Sequence, residues 1–257
     1  MSHIEARILT KKEVAQDIFK LSLFCPEIAS TVIPGQFVHI ECGKDKKFIL
    51  RRPFSVHRQI NEDVFEILFQ VVGKGTKSLA EVEVDSCLDI IGPLGNGFKI
   101  PDDCKNVLLV AGGIGVAPLV FLAEKLFLSK ISFNVLIGCA NCQKVVRFPL
   151  KDEMTGKIYF STDDGSLGSK GNAADLLLNH LRKNEKPDRI FACGPEPMLK
   201  AVTSIATRNG ISCFLSLEER MACGIGACLS CVCKTKSGNK RVCVDGPVFN
   251  AFDILWE

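Results

Sequence analysis

The chain lacks several features that would assign it elsewhere. No run of Lys and Arg is long enough to form a nucleic-acid stripe, and the formal net charge is only +3. Nucleic acid is therefore not an expected partner. The stretch MSHIEARILTKKEVAQ has neither an apolar h-region nor a small-residue cleavage site. No secretory signal is expected, and the cytoplasm is the expected compartment. The nearest approach to a membrane span is VLLVAGGIGVAPLVFLA at 107–123. Three glycines and a proline interrupt it, which predicts a buried strand, a tight turn and a helix start instead. No internal repeat or low-complexity stretch is present.

Cysteine, by contrast, is abundant: there are 13. An odd count argues against complete disulfide pairing, and in a reducing compartment clustered thiols suggest metal ligands. Cys25, Cys42, Cys87, Cys104 and Cys213 are scattered and read as small core-filling side chains. Cys223, Cys228, Cys231 and Cys243 form C-x4-C-x2-C-x11-C, the plant-type spacing for a [2Fe–2S] cluster. Gly224 and Gly226 allow the sharp turns such a loop needs, and Ala222 and Ala227 keep its wall thin. Structural zinc prefers paired C-x2–4-C knuckles, which three ligands in nine residues fit poorly. Cys233, two residues past Cys231, would point the other way in an extended segment and is left out of the ligand set. An iron–sulfur centre exchanges single electrons, so the tail reads as an electron port.

Three textures divide the chain. Residues 1–100 hold short β-rich runs such as QFVHIEC, DVFEILFQVV and CLDIIGPL between turn residues, which predicts a small antiparallel barrel. Residues 101–215 alternate apolar strands (NVLLVAG, FNVLIGC, KIYFST, RIFACG) with helical segments, the pattern of a parallel α/β sheet. Residues 216–257 are Cys- and Gly-rich, and too short to fold alone without a staple.

In ILRRPFSV, Arg52 and Ser55 flank the stiffening Pro53, a donor pair suited to a diphosphate. In GKGTKSL, Gly75 and Thr76 are expected just ahead of a helix start, a second anion site; the alternative is a simple cap. The turn GPLGNGF at 92–98 is expected to close the barrel. AGGIGVAP places Gly112, Gly113, Gly115 and Pro118 between a strand and a helix, where glycines let backbone approach a pyrophosphate; it is not G-x-G-x-x-G. The STDDGSLGSKG and FACGPEPML segments are expected at two further strand ends, and open α/β sheets bind ligands at the carboxyl ends of their strands.

Together, RRPFS, GGIGVAP and CGPEPM resemble the ferredoxin–NADP reductase superfamily. The module order, with IGPLGNGF, EERMACGIGACLSC and CVDGPVF, resembles the electron-transfer subunit of class 1B dihydroorotate dehydrogenase over essentially the whole chain. That resemblance implies a β-barrel FAD domain, a parallel-sheet α/β nucleotide domain and a C-terminal [2Fe–2S] domain. It implies an FAD site at Arg52, Pro53, Phe54 and Ser55, completed by Leu68, Phe69, Gln70, Gly75 and Thr76. Nicotinamide nucleotide, NAD(H), would be a substrate held near Gly112, Gly113, Gly115, Pro118, Cys193, Gly194 and Pro195, and the four tail cysteines would ligate the cluster. It further implies a separate FMN-containing catalytic partner, two copies of each subunit, and oxidation of dihydroorotate to orotate coupled to NAD⁺ reduction.

Hydride and electron transfer are cofactor chemistry, so no acid–base residue is expected in this chain. Two departures stand out. Leu68-Phe69-Gln70 occupies the place where relatives often carry an aromatic followed by Arg, and Cys139 and Cys142 form a C-x2-C without a second pair. No Arg is clearly placed for a 2′-phosphate, which favours NADH. Two other readings stay open: a reductase subunit of another NAD(P)-linked ferredoxin or sulfur-metabolising complex, and a non-catalytic Fe–S or zinc binding module.

Overall fold

The computed structural model describes residues 4–43, 48–101, 103–147 and 156–256. Six strands close an antiparallel barrel: β1 (Ile4–Ala15), β2 (Ile18–Phe24), β3 (Phe37–Ile40), β4 (Arg52–Gln59), β5 (Val64–Gln70) and β6 (Cys87–Leu94). The short helices α1 (Pro26–Ala29) and α2 (Lys74–Ala80) interrupt it. Alternation decides what faces where. Val38, Ile40, Phe54, Val56, Phe65, Ile67 and Phe69 fill the barrel core. Their neighbours Phe37 and Leu68 belong instead to apolar clusters outside the barrel.

β6 closes the barrel by pairing with both β1 and β3. Gly92, Pro93 and Leu94 are therefore strand, and the turn that follows does a different job from the closure expected of it. The Asn96 amide nitrogen donates to the Val244 and Asp245 carbonyls, and its backbone N–H donates to Gly246. The turn anchors the tail.

The second sheet runs β10 (Ser169–Lys170), β9 (Ile158–Thr162), β8 (Ser132–Cys139), β7 (Asn106–Gly112), β11 (Arg189–Cys193), β12 (Ser212–Ser216) and β15 (Val248–Asn250). Helices α3 (Val116–Leu128), α4 (Ala173–Lys183) and α5 (Glu196–Asn209) cover it. All pairings are parallel except the last, where β15 adds antiparallel to β12. The tail thus donates the edge strand of the α/β sheet. Its Cys231, Val242, Cys243, Ala251 and Ile254 share one core with Leu199, Val202 and Leu215. A separate hairpin pairs β13 (Val232–Thr235) with β14 (Gly238–Arg241). Packing against a preformed sheet supplies the apolar burial that so short a segment cannot supply itself.

Helix α3 joins the barrel to the α/β unit. Phe121 is 1% exposed and sits in the barrel core, a burial of roughly 1.5–3 kcal/mol. Arg58 pairs with Glu124, with Nε to Oε1 at 2.8 Å. His57 Nδ1 lies 3.0 Å from the Ala117 carbonyl, which can only accept, so the ring carries its proton on Nδ1. Burial pushes the His57 pKa down to about 4. Between pH 6.5 and 4 the unfolded chain therefore binds the proton that the folded chain refuses, and stability falls as pH drops through that window. Thermal melts across it are expected to show this slope, shallower in His57→Asn; equal slopes would remove His57 as its source.

Candidate functional site

The sheet order places β7 and β11 side by side where the chain reverses direction, the crevice position for ligands in such sheets. Two Gly-rich loops leave these strands and press together. A Cβ on Gly112 would sit 2.8 Å from Pro195 Cδ, and one on Gly115 would overlap the Cys193 carbonyl oxygen. Gly112 and Gly115 therefore make room for the 193–195 loop and, at Gly112, for the Met198 side chain. Gly113 alone of the three is open: its φ is +53°, and a Cβ added there would meet no atom within 4 Å. Gly115→Ala is expected to cost about 1–3 kcal/mol by overpacking. It should also raise the KM for NADH, because the clash is with backbone; unchanged melting would refute the tight contact.

A cavity of about 710 Å³ lies outside the barrel, against this crevice. Arg52, Pro53, Phe54, Ser55, Leu68, Phe69, Gln70 and Thr76 all line it, joined by Pro118. Phe54 and Phe69 reach it from the barrel core, where their rings meet edge to face at 5.5 Å. Arg52 Nη1 donates to the Leu50 carbonyl at 2.7 Å, and its guanidinium borders Gly75. Gly75 and Thr76 lie inside the first turn of α2 rather than ahead of it. Thr76 Oγ1 accepts from the N–H groups of Val72 and Gly73 and so caps the helix.

Sequence reasoning missed Phe37, Leu50, Val72, Ile114 and Ala117 in this wall, and also residues 218–221 of the tail. Leu50 and Val72 could have been flagged as apolar residues beside RRPFS and GKGTKSL, but nothing in the sequence brings the tail there. Glu218 lines this cavity and also a second one of about 460 Å³ that lies beneath Pro195 and Trp256. Its side chain keeps contact with solvent, yet crowding by protein holds its carboxyl above the usual range. Burial, with Glu218 adding to it, keeps the Cys193 thiol protonated.

The tail sets Cys228 beside Cys223 and Cys243 beside Cys231. Gly224 and Gly226 have φ of +72° and +83° and turn the loop back on itself. The Cys228 N–H donates to Cys223 Sγ at 3.4 Å, and the Ser230 hydroxyl lies 3.1 Å from Cys228 Sγ. Hydrogen bonding from Ser230 and the Cys223 end of the loop draws the exposed Cys228 thiol down to about 6. Cys243 is pushed up to about 12, by burial first and then by contact with Cys231 and the nearby Cys223. Crowded thiols that cannot all ionise are what a bound cation relieves, so the donor set fits metal. Among the described residues no three candidate ligands converge on one point, as a single ion would require. A [2Fe–2S] cluster asks for only two thiolates at each iron.

Cys233 lies apart, lining the second cavity. Cys139 is buried and Cys142 exposed, both free thiols, and among the described residues no second cysteine pair joins them.

Residues 218–255 match the family model of the iron–sulfur cluster binding domain of dihydroorotate dehydrogenase B. The chain is 38% identical over 258 residues to the electron transfer subunit of dihydroorotate dehydrogenase B (NAD(+)) from Desulforamulus reducens, with 98% of each chain covered. The chain belongs to this family of electron transfer subunits. The corresponding subunit from Caldanaerobacter subterraneus subsp. tengcongensis is also 38% identical, again with 98% of each chain covered.

Among solved structures, an NADH-dependent reduced ferredoxin–NADP oxidoreductase superposes with a TM-score of 0.86 at 31% identity, covering 98% of this chain and 90% of that one. A ferredoxin–NADP⁺ reductase from Neisseria gonorrhoeae shares the fold at a TM-score of 0.68 and 20% identity, covering 82% of this chain and 92% of that one. By that family the chain is an electron transfer subunit of an NAD-linked oxidoreductase. None of its helices among the described residues is long and apolar enough to cross a membrane.

Proposed function

We propose that this subunit carries electrons between NAD⁺ and an FMN-containing partner that oxidises dihydroorotate to orotate, using FAD in the 710 Å³ cavity and a [2Fe–2S] cluster on Cys223, Cys228, Cys231 and Cys243. One observation carries the reading: residues 218–221 wall the cavity and run directly into the cysteine loop that starts at Cys223. Phe37 and Met221 line the cavity, and both pack in the same apolar cluster as Cys231 and Cys243. When bound, FAD supplies the conversion between two-electron exchange with nicotinamide and one-electron exchange with an iron–sulfur centre.

The chain's own residues supply position and charge. Arg52, beside the first turn of α2, offers a fixed fork to a diphosphate, with Gly75 leaving space next to it. Pro53, Ser55, Leu68 and Gln70 form the adjoining wall, while Phe54 and Phe69 back it from the core. Gly113 leaves backbone open to the phosphates of NAD(H), and Cys193, Gly194 and Pro195 close the crevice beside it. Asp163 and Asp164, at the end of β9, would accept from a ribose 2′-hydroxyl and repel a 2′-phosphate, which supports NAD over NADP.

Around the exposed Cys228, Ile225, Leu229 and Val244 present apolar side chains to solvent, a surface suited to the partner. The family resemblance supplies the FMN and the two-plus-two stoichiometry.

The test is anaerobic purification from the native cell followed by an assay for NADH on adding dihydroorotate and NAD⁺. A co-purifying FMN protein with that activity is expected. A flavin and iron–sulfur protein that oxidises NADH but forms no orotate would remove the pyrimidine reaction and leave the relay.

A further inference from the structure

His39 lies on the outer face of β3 and has no part in the sites described so far. On that strand Val38 and Ile40 fill the barrel core, while Phe37 packs with the tail cysteines. His39 is 0% exposed. It pairs in register with Pro53 on one side and Ile91 on the other, so its backbone is locked on both edges. Above its ring lies the cluster loop: a Cβ on Gly224 would stand 2.6 Å from Nδ1 and 3.2 Å from Cγ. With φ of +72°, Gly224 brings bare backbone onto the imidazole.

Both ring nitrogens are buried without completing a hydrogen bond. The backbones of Arg51 and Cys223 lie close enough to favour a ring proton, but burial outweighs them and keeps the ring neutral. A buried unsatisfied polar atom is destabilising, and a leucine would fill the space without that cost.

We propose that His39 is a positioning residue for the iron–sulfur centre, holding the Cys223–Gly224 step in place with a ring nitrogen facing that backbone. The inference rests on the cluster assignment above. It uses residues from both halves of the relay, because the strand that carries His39 is hydrogen-bonded to the Arg52–Ser55 segment. The ring faces the backbone of the Cys223–Gly224 step, so removing it should shift the Cys223 ligand and with it the potential of the centre.

The experiment compares wild type with His39→Leu and His39→Gln in the full subunit. It measures iron content, the EPR spectrum of the reduced cluster, its potential by EPR-monitored titration, and the rate of flavin reduction by NADH. His39→Leu is expected to keep flavin reduction within about twofold while shifting the EPR g values. Its flavin–cluster equilibrium should move about tenfold, a shift of some 59 mV for one electron. His39→Gln, which keeps a donor, should recover most of that shift.

A wild-type spectrum and potential in His39→Leu would overturn the proposal, leaving the ring as packing. Should His39→Leu fail to fold, His39→Asn decides, because its shorter amide stops short of the loop. It must show the same shift, and a wild-type potential there overturns the proposal. A wild-type subunit with no [2Fe–2S] signal would sink the cluster assignment itself and this inference with it.

Discussion

Cys228→Ser is expected to strip the [2Fe–2S] absorbance and EPR signal while NADH still reduces the flavin at close to the wild-type rate. In the assembled complex, turnover from dihydroorotate to NAD⁺ should fall by more than about 100-fold, since even lost outer-shell partners cost 10- to 100-fold. The position suits the test. Cys228 is exposed, so the substitution removes no core packing, and its backbone N–H still donates within the loop. Its low thiol pKa already favours the ligating thiolate. Buried Cys231 and Cys243 would confound the same experiment, because they also pack in the core shared with α5 and β12. Stopped-flow absorbance separates the two half-reactions. A cluster that survives in Cys228→Ser would remove that residue from the ligand set, and a flavin that no longer accepts hydride would show that the tail supports the FAD cavity as well.

Arg52→Ala is expected to weaken FAD binding about 10- to 100-fold, the worth of a charge-assisted hydrogen bond of roughly 1.5–3 kcal/mol. The guanidinium is held by the Leu50 and Arg51 carbonyls, so little further ordering is needed when it meets a diphosphate. Arg52→Lys should fall between the two, since an ammonium keeps the charge and loses the fork. Titration of FAD into flavin-depleted protein, followed by fluorescence, measures the constants. The EPR signal of the cluster should be unaffected in both variants. Wild-type affinity in Arg52→Ala would move the diphosphate away from this strand.

Much of this was legible in the residues because local rules carried it. The broken apolar run at 107–123 became β7, a glycine turn and α3, as its interruptions required. In the C-x4-C-x2-C-x11-C segment, Gly224 and Gly226 take the positive φ that their placement between the cysteines led one to expect, and they bend the loop within a few residues. Local pattern said less about what glycines and turns do at a distance. Gly112 and Gly115 serve the contact with the 193–195 loop, and the Gly95–Asn96 turn serves the tail. Each of these partners lies about 80 residues or more along the chain.

The sequence by itself determined the kinds of unit and their order, the cysteine spacing proposed to hold a cluster, and the pairing of Arg52 and Ser55 around Pro53. Periodicity, turn chemistry and ligand spacing act over a few residues, so they survive without the fold. Only the tertiary structure decided that the tail supplies β15 to the α/β sheet, that residues 218–221 wall the cavity, and that His39 meets Gly224. Those facts depend on which buried faces find each other when apolar surface leaves water, a choice made between segments that carry no local mark of their partners.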